Sequence, residues 1–238
     1  MDQYEKDAAK ELAGWQKKMK QRPSLMNKLS KGLQTRVNKL IPEKIHQVFT
    51  TAIKQMVQAV QAGSGFTNPK PLHGVDLLTR ETAARHKIKV YRNTATAEGA
   101  ITGAGGILLG LADFPLWLTV KIKMLFELAA VYGYDVDDYK ERLYILHIFQ
   151  LTFSSQKGRQ KTYAILEGWN NYATALPANM KEFDWRNFQQ EYRDYIDLAK
   201  LLQLVPGIGA AVGAYVNHRL TEKLGMFAMQ AYRMRVMK

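Results

Sequence analysis

The chain has 238 residues, 47% of them hydrophobic, no cysteine and a formal net charge of +13. That length and apolar content are enough for a sizeable core and exclude wholesale disorder, while a mean hydropathy of −0.28 argues against a multi-span membrane protein. The missing cysteines exclude disulfides, thiolate metal sites and cysteine nucleophiles. The opening MDQYEKDAAKELAGWQKKMK places charges where a secretory signal needs an apolar run, and Asp2 stands where myristoylation needs glycine, so export and lipidation are not expected.

With only seven prolines, helices are favoured over many short strands. A first helix is expected over about 2–20, with Leu12, Trp15 and Met19 on one face. Pro23 and Ser24 restart the chain, and Leu25, Leu29, Leu33 and Val37 follow at steps of four beside Lys28, Lys31, Arg36 and Lys39. Pro42 suits the first turn of a further helix. Its stripe of Ile45, Val48, Phe49, Ala52, Ile53, Met56, Val57 and Val60 recurs at i, i+3, i+4 and i+7, the period of an amphipathic helix. A core-packed face is the expectation for that stripe.

Residues 63–74, GSGFTNPKPLHG, read as a linker. A charged helix resumes near Arg80, and the character changes at Glu98, where an apolar stretch begins that is expected to end near 112. Asp113 is expected to cap the next helix, with Pro115 in its first turn and Gly133 closing it. Asp135 is expected to cap VDDYKERLYILHIFQLTF, whose second half is apolar nearly all round and therefore buried. A helix near 160–174 and a loop at Pro177 follow. Asp184 caps the element bearing Trp185, Phe188, Tyr192, Tyr195, Ala199 and Leu202; residues 201–217 carry no charge, and the Met-rich tail is amphipathic.

These patterns predict an all-α fold, a single multi-helix bundle with a glycine-rich, tightly packed apolar helical hairpin. Its parts are basic amphipathic helices at 1–62, a linker at 63–79, and a helical core at 80–238 holding the glycine-rich segments 99–120 and 201–217, together one compact domain. Glycine costs roughly 1 kcal/mol relative to alanine inside a helix, so the pairs four apart need a reason. Gly99 and Gly103, Gly106 and Gly110, and Gly209 and Gly213 are assigned to close helix–helix approach.

Phosphate loops fail on inspection. Gly105 and Gly110 have the spacing of a P-loop, but Leu111 and Ala112 replace its Lys and Ser/Thr, and the dinucleotide pattern breaks at Leu108 and Val212. The five histidines, at 46, 73, 86, 147 and 218, show no metal-ligand spacing, and His147 reads as a core histidine. One polar group stands out. Glu191, Arg193 and Asp197 lie on one helix segment, and with Glu98 and Asp113 they form a candidate buried site for a headgroup or small polar ligand.

AITGAGGILLGLADFP (100–115), VYGYDVDDYKERLYILHIFQ (131–150) and FQQEYRDYIDLAKLLQLVPGIGAAVGAYVNHRL (188–220) together resemble the EcsC family along essentially the whole chain. The resemblance implies a bacterial protein near a membrane system, since the family's namesake is encoded beside the subunits of an ABC transporter. It supplies no catalytic residues, cofactor or metal. The expected function is that of a membrane-associated accessory or scaffold protein, peripheral on the cytoplasmic face of the cell membrane. Anionic lipid would be its partner surface and ABC transporter subunits its candidate protein partners. No nucleic acid is expected, because the basic residues alternate with core positions rather than forming a finger, RNP or zipper. The alternative is an enzyme or binder of a lipid headgroup or small polar ligand at the carboxylate/arginine site.

Overall fold

The structure is a computed structural model that describes residues 2–21, 43–63, 69–103, 114–154, 156–195 and 210–237. Within these residues the helices are α1 (Gln3–Lys20), α2 (Glu43–Ala62), α3 (Leu77–Gly103), α4 (Phe114–Val131), α5 (Tyr139–Phe153), α6 (Gln156–Glu167), α7 (Trp169–Ala175), α8 (Trp185–Tyr195) and α9 (Ala210–Val236), with a 3₁₀ turn at Met180–Glu182. No β-strand occurs among the described residues. The all-α expectation is met.

Local chemistry sets the helix ends. Asp2 and Glu5 form a reciprocal capping box at the start of α1, each side chain accepting from the other's backbone N–H at 2.7 and 3.1 Å. Gly133 closes α4 at φ +91°, a conformation side chains rarely adopt. Its N–H donates to Ala130 and that of Tyr134 to Ala129, so two carbonyls of the last turn are satisfied. The cap of α5 is Asp138, whose carboxylate accepts from the Lys140 N–H at 2.9 Å; Asp135 instead folds an Asx turn onto Asp137. The sequence offers three aspartates in four positions, and only the entry angle of the chain selects among them. Asp184 caps α8 as expected, accepting from Asn187 at 3.0 Å.

α3 runs unbroken from Leu77 to Gly103, through the change of character at Glu98. One boundary differs from the sequence pattern. The helix expected near 160–174 is split at Gly168 into α6 and α7.

α3 and α9 form the most extensive helix pair and run antiparallel, with Glu81 against Arg233, Ile88 against Gly225, and Arg92 against Glu222. α4 runs beside them in the sense of α9, its Trp117 indole donating to Asn217 at 2.6 Å near one end and Tyr132 stacking on Tyr232 near the other. α5 returns antiparallel to α9 and is buried along almost its whole length, as its all-round apolar sequence requires. α2 buries Phe49, Ala52, Ile53, Met56, Val57 and Val60 against the core, whereas Val48, expected on the same stripe, is exposed near the start of the helix. α1 docks across α3, α6 and α9 through Ala8, Leu12 and Met19. Met229 and Met234 of the tail are core residues, with Met226 and Met237 packed at its margin.

The bundle thus has two ends. The lower end collects the start of α3 and the ends of α4 and α9. The upper end collects Gly103 of α3, Phe114 of α4 and Ala210 of α9. The close approach of α3 to α9 depends on Gly225, where a Cβ would come within 2.5–2.9 Å of three carbons of buried Ile88. Overpacking of this kind costs roughly 1–3 kcal/mol, against about 1 kcal/mol gained in helix propensity. Gly225→Ala is therefore expected to lower stability by about 1 kcal/mol in urea denaturation, and in a chain already carrying Ile88→Ala, which removes all three carbons, the same substitution should cost nothing further.

Candidate functional site

The described residues contain a buried polar network at the lower end of the bundle. Glu81 enters it from the second turn of α3 and Arg233 from the last turn of α9, where a cation also meets the negative end of the helix. Both side chains are almost completely buried. Arg233 grips the Glu81 carboxylate with Nε and with Nη2, the latter at 2.5 Å, and reaches Glu11 of α1 with Nη1 at 2.8 Å. Tyr4 donates to the same carboxylate at 2.6 Å, and Gln230 donates to Glu11 at 3.0 Å. Burial alone would raise the Glu81 carboxyl; the hydrogen bonds from Arg233 and Tyr4 outweigh it and hold the group below its ordinary value.

Two residues further on, Arg235 serves a second buried carboxylate. It donates to Glu141 of α5 at 2.6 Å while its guanidinium lies 3.6 Å from the Tyr134 ring centroid and 4.4 Å from that of Tyr144. Tyr232 donates to Glu141 at 2.7 Å. Burial pushes the Glu141 carboxyl up against the pull of these two donors. Every carboxylate here is committed to internal donors, so the network acts as a clamp between helices. Arg80 extends it by donating to the carbonyls of Leu72 and Val131, tying residues 69–76 to the end of α4. Glu5, Val75, Asp76, Leu77, Arg80, Val236 and Met237 line a shallow hollow of about 550 Å³ outside it.

His147, on α5, is a core histidine as read from sequence. Its ring is enclosed by Trp169, Tyr172 and Phe188 at centroid distances of 5.5–6.0 Å, and Nδ1 lies 3.2 Å from Gln150 Oε1. Nε2 has no hydrogen-bond partner among the described residues. Burial pushes its pKa down to about 4, so the imidazole is held neutral.

The upper end has a different surface. Phe49 of α2 meets Phe114 of α4 at 4.1 Å, and Phe114 stacks on Trp117, sealing the core beneath it. Above that seal Val48, Pro115, Leu116 and Tyr215 are exposed. Gln47, Val48, Thr51, Ala52, Gln55 and Pro115 line an open groove of about 530 Å³.

Of the candidate ligand residues, Glu98 lies in α3, and Glu191 and Arg193 lie in α8, with side chains outside the described set; Asp113 and Asp197 fall outside the described residues. Gly99 and Gly103 lie in α3 and Gly213 in α9, the two helices that pair most extensively, whereas Gly106, Gly110 and Gly209 lie outside the described residues. Among the described residues no group of acidic or histidine side chains is placed to hold a metal ion. Sequence reasoning missed Glu81, Glu141, Arg233 and Arg235. The signal available was the pair of arginines two apart in an otherwise apolar tail, which places both cations near the core.

Fold and network together define an all-α bundle clamped by buried arginine–carboxylate pairs. The chain belongs to the EcsC protein family, whose model matches residues 6–237. It is 44% identical over 229 residues to "Protein EcsC" of Bacillus subtilis (strain 168), covering 96% of this chain and 94% of that one. It is also 29% identical over 244 residues to "Uncharacterized protein YdbA" of the same organism, covering 99% and 89% of the two chains. No solved structure gives a significant match.

Removing one partner of a buried ion pair strands the other, at a cost of roughly 3–5 kcal/mol. Arg233→Met should lose about that much stability, and Glu81→Met together with Arg233→Met should recover most of it in urea denaturation. A buried neutral histidine gives a separate acid signature. Stability is full above the ordinary value of 6.5 and falls as pH drops toward about 4, because the unfolded chain binds the extra proton. The slope approaches about 1.4 kcal/mol per pH unit, and His147→Phe should flatten it, read from the urea midpoint across that window.

Proposed function

We propose that this protein is a membrane-associated accessory protein, peripheral on the cytoplasmic face of a bacterial membrane and acting as a scaffold beside an ABC transport system rather than as a catalyst. The observation that carries the reading is a charge run. Between Glu11 and Glu43 the chain holds Lys17, Lys18, Lys20, Arg22, Lys28, Lys31, Arg36 and Lys39 and no acidic residue. Lys17 and Lys18 are exposed on the last turn of α1, while Leu12 and Met19 of the same helix face the core. A solubilising surface needs both signs of charge interspersed; a long run of one sign suits an anionic partner surface. Near anionic lipid each Lys or Arg contributes about 1 kcal/mol, screened by salt.

No helix among the described residues is long and apolar enough to cross a membrane, so the association proposed is interfacial. The saturated state of the Glu81 and Glu141 carboxylates supports a structural role for the charges inside the bundle. The family's link to an ABC transporter supplies the candidate protein partner.

Sedimentation with vesicles tests the reading. The full chain should pellet with phosphatidylglycerol-containing vesicles at low salt, be released as salt rises, and stay in solution with phosphatidylcholine alone. Failure to pellet with anionic vesicles at low salt would sink the proposal.

A further inference from the structure

We infer that the cavity between α2 and α8 binds a small phosphate-bearing ligand through Lys54 and Arg186. The cavity measures about 390 Å³, within the size range of small-ligand pockets, which begins at roughly 300 Å³. α2 lines it with Thr50, Ile53, Lys54 and Val57, at i, i+3, i+4 and i+7. α8 lines it with Arg186, Gln189 and Gln190, at i, i+3 and i+4. Each helix therefore gives one continuous face to the same space. The inference stands apart from the membrane reading and does not need it.

Core packing holds both walls in place. Ile53 and Val57 are 2% and 1% exposed and form an apolar floor. Phe188 and Tyr192 are buried on the other face of α8, and Tyr192 donates to the Leu146 carbonyl of α5 at 3.1 Å. The Trp185 indole donates to the Met180 carbonyl at 3.0 Å and fixes the start of the helix. Around the floor the polar lining is graded: Thr50 and Gln189 are half-buried, while Lys54, Arg186 and Gln190 are exposed.

Charge names the occupant. Other cations on the surface of the bundle have a carboxylate partner: Lys20 pairs with Glu167, Lys87 with Glu127 and Arg92 with Glu222. Lys54 and Arg186 make no ion pair or hydrogen bond among the described residues, and no carboxylate is among the described lining of their cavity. The acids just before Arg186 do not enter it: Asp184 caps α8 by accepting from Asn187 at 3.0 Å, and Glu182 lies exposed on the 3₁₀ turn. The other hollows differ. Glu5 and Asp76 line the one beside Arg80, and no charged residue lines the groove beside Pro115. A carboxylate would satisfy the arginine fork alone. A phosphate has oxygens enough to take two N–H groups of Arg186, the Lys54 ammonium and a Gln189 or Gln190 amide together, with the Thr50 hydroxyl in reserve. The floor of Ile53 and Val57 suits the carbon body of the ester.

Calorimetric titration of the full chain at low salt tests the site with two soluble probes. One is glycerol phosphate; the other is lysophosphatidylglycerol below its micellar concentration, which carries the same phosphate ester on an acyl chain. Saturable binding of at least one is expected. Binding of glycerol phosphate assigns the site to free phosphate esters, and binding of the lysolipid alone assigns it to a lipid headgroup. Lys54→Gln and Arg186→Gln should each weaken binding roughly tenfold. Both side chains are exposed and unbonded, so the melting curve should not move. Lys10→Gln with Lys89→Gln removes the same charge from exposed positions outside the cavity and should leave the affinity unchanged. No saturable binding of either probe, or an equal loss in the Lys10 and Lys89 pair, overturns the inference. Pelleting with anionic vesicles but no probe binding overturns this site alone; probe binding without pelleting upholds it and sinks the membrane reading.

Discussion

Arg233 sits where three helices would otherwise have no fixed relation to one another. Its guanidinium is buried, and a buried cation without acceptors costs several kcal/mol, so Glu81 of α3 and Glu11 of α1 are obliged to reach it. That obligation sets the register of α1 and α3 against α9. Hydrophobic contacts could be met by sliding one helix a turn along another; a bidentate arginine–carboxylate pair cannot. Tyr4 and Gln230 then fill further hydrogen-bonding positions, and the network closes. Its place in the last turn of α9 adds a favourable interaction with the helix dipole.

Because the clamp lies at one end, the two ends of the bundle differ in kind. Below, Arg235 with Glu141, and Arg80 with the carbonyls of Leu72 and Val131, tie down the loops and the tail. Above, the described surface is held by aromatic packing of Phe49, Phe114 and Trp117, and apolar side chains stand exposed on it. The functional reading rests on the run of Lys and Arg between Glu11 and Glu43, of which Lys17 and Lys18 are exposed on the last turn of α1.

The candidate sites show where sequence reasoning stopped. Arg193 and Asp197 attracted notice because they are four apart in sequence, with Glu191 alongside. The ion pairs that form in the core join residues far apart in the chain, Glu81 to Arg233 and Glu141 to Arg235. No local spacing rule finds such partners. The described contacts also add a close approach that no spacing of four pointed to, at Gly225, an isolated glycine opposite Ile88.

By itself the sequence determined the helical class, because its apolar residues recur at helical spacing and few prolines interrupt them. It also determined the buried character of α5 and the core-facing stripe of α2, since each depends only on which side chains avoid water. It carried the family resemblance, written in long strings of residues. Only the tertiary structure decided that α3 is one helix through Glu98, that Asp138 rather than Asp135 caps α5, and which buried carboxylate each arginine of the last turn of α9 takes. The reason is common to all three. A helix boundary, a cap and an ion pair depend on what lies alongside in space, and here the neighbours that matter come from elsewhere in the chain.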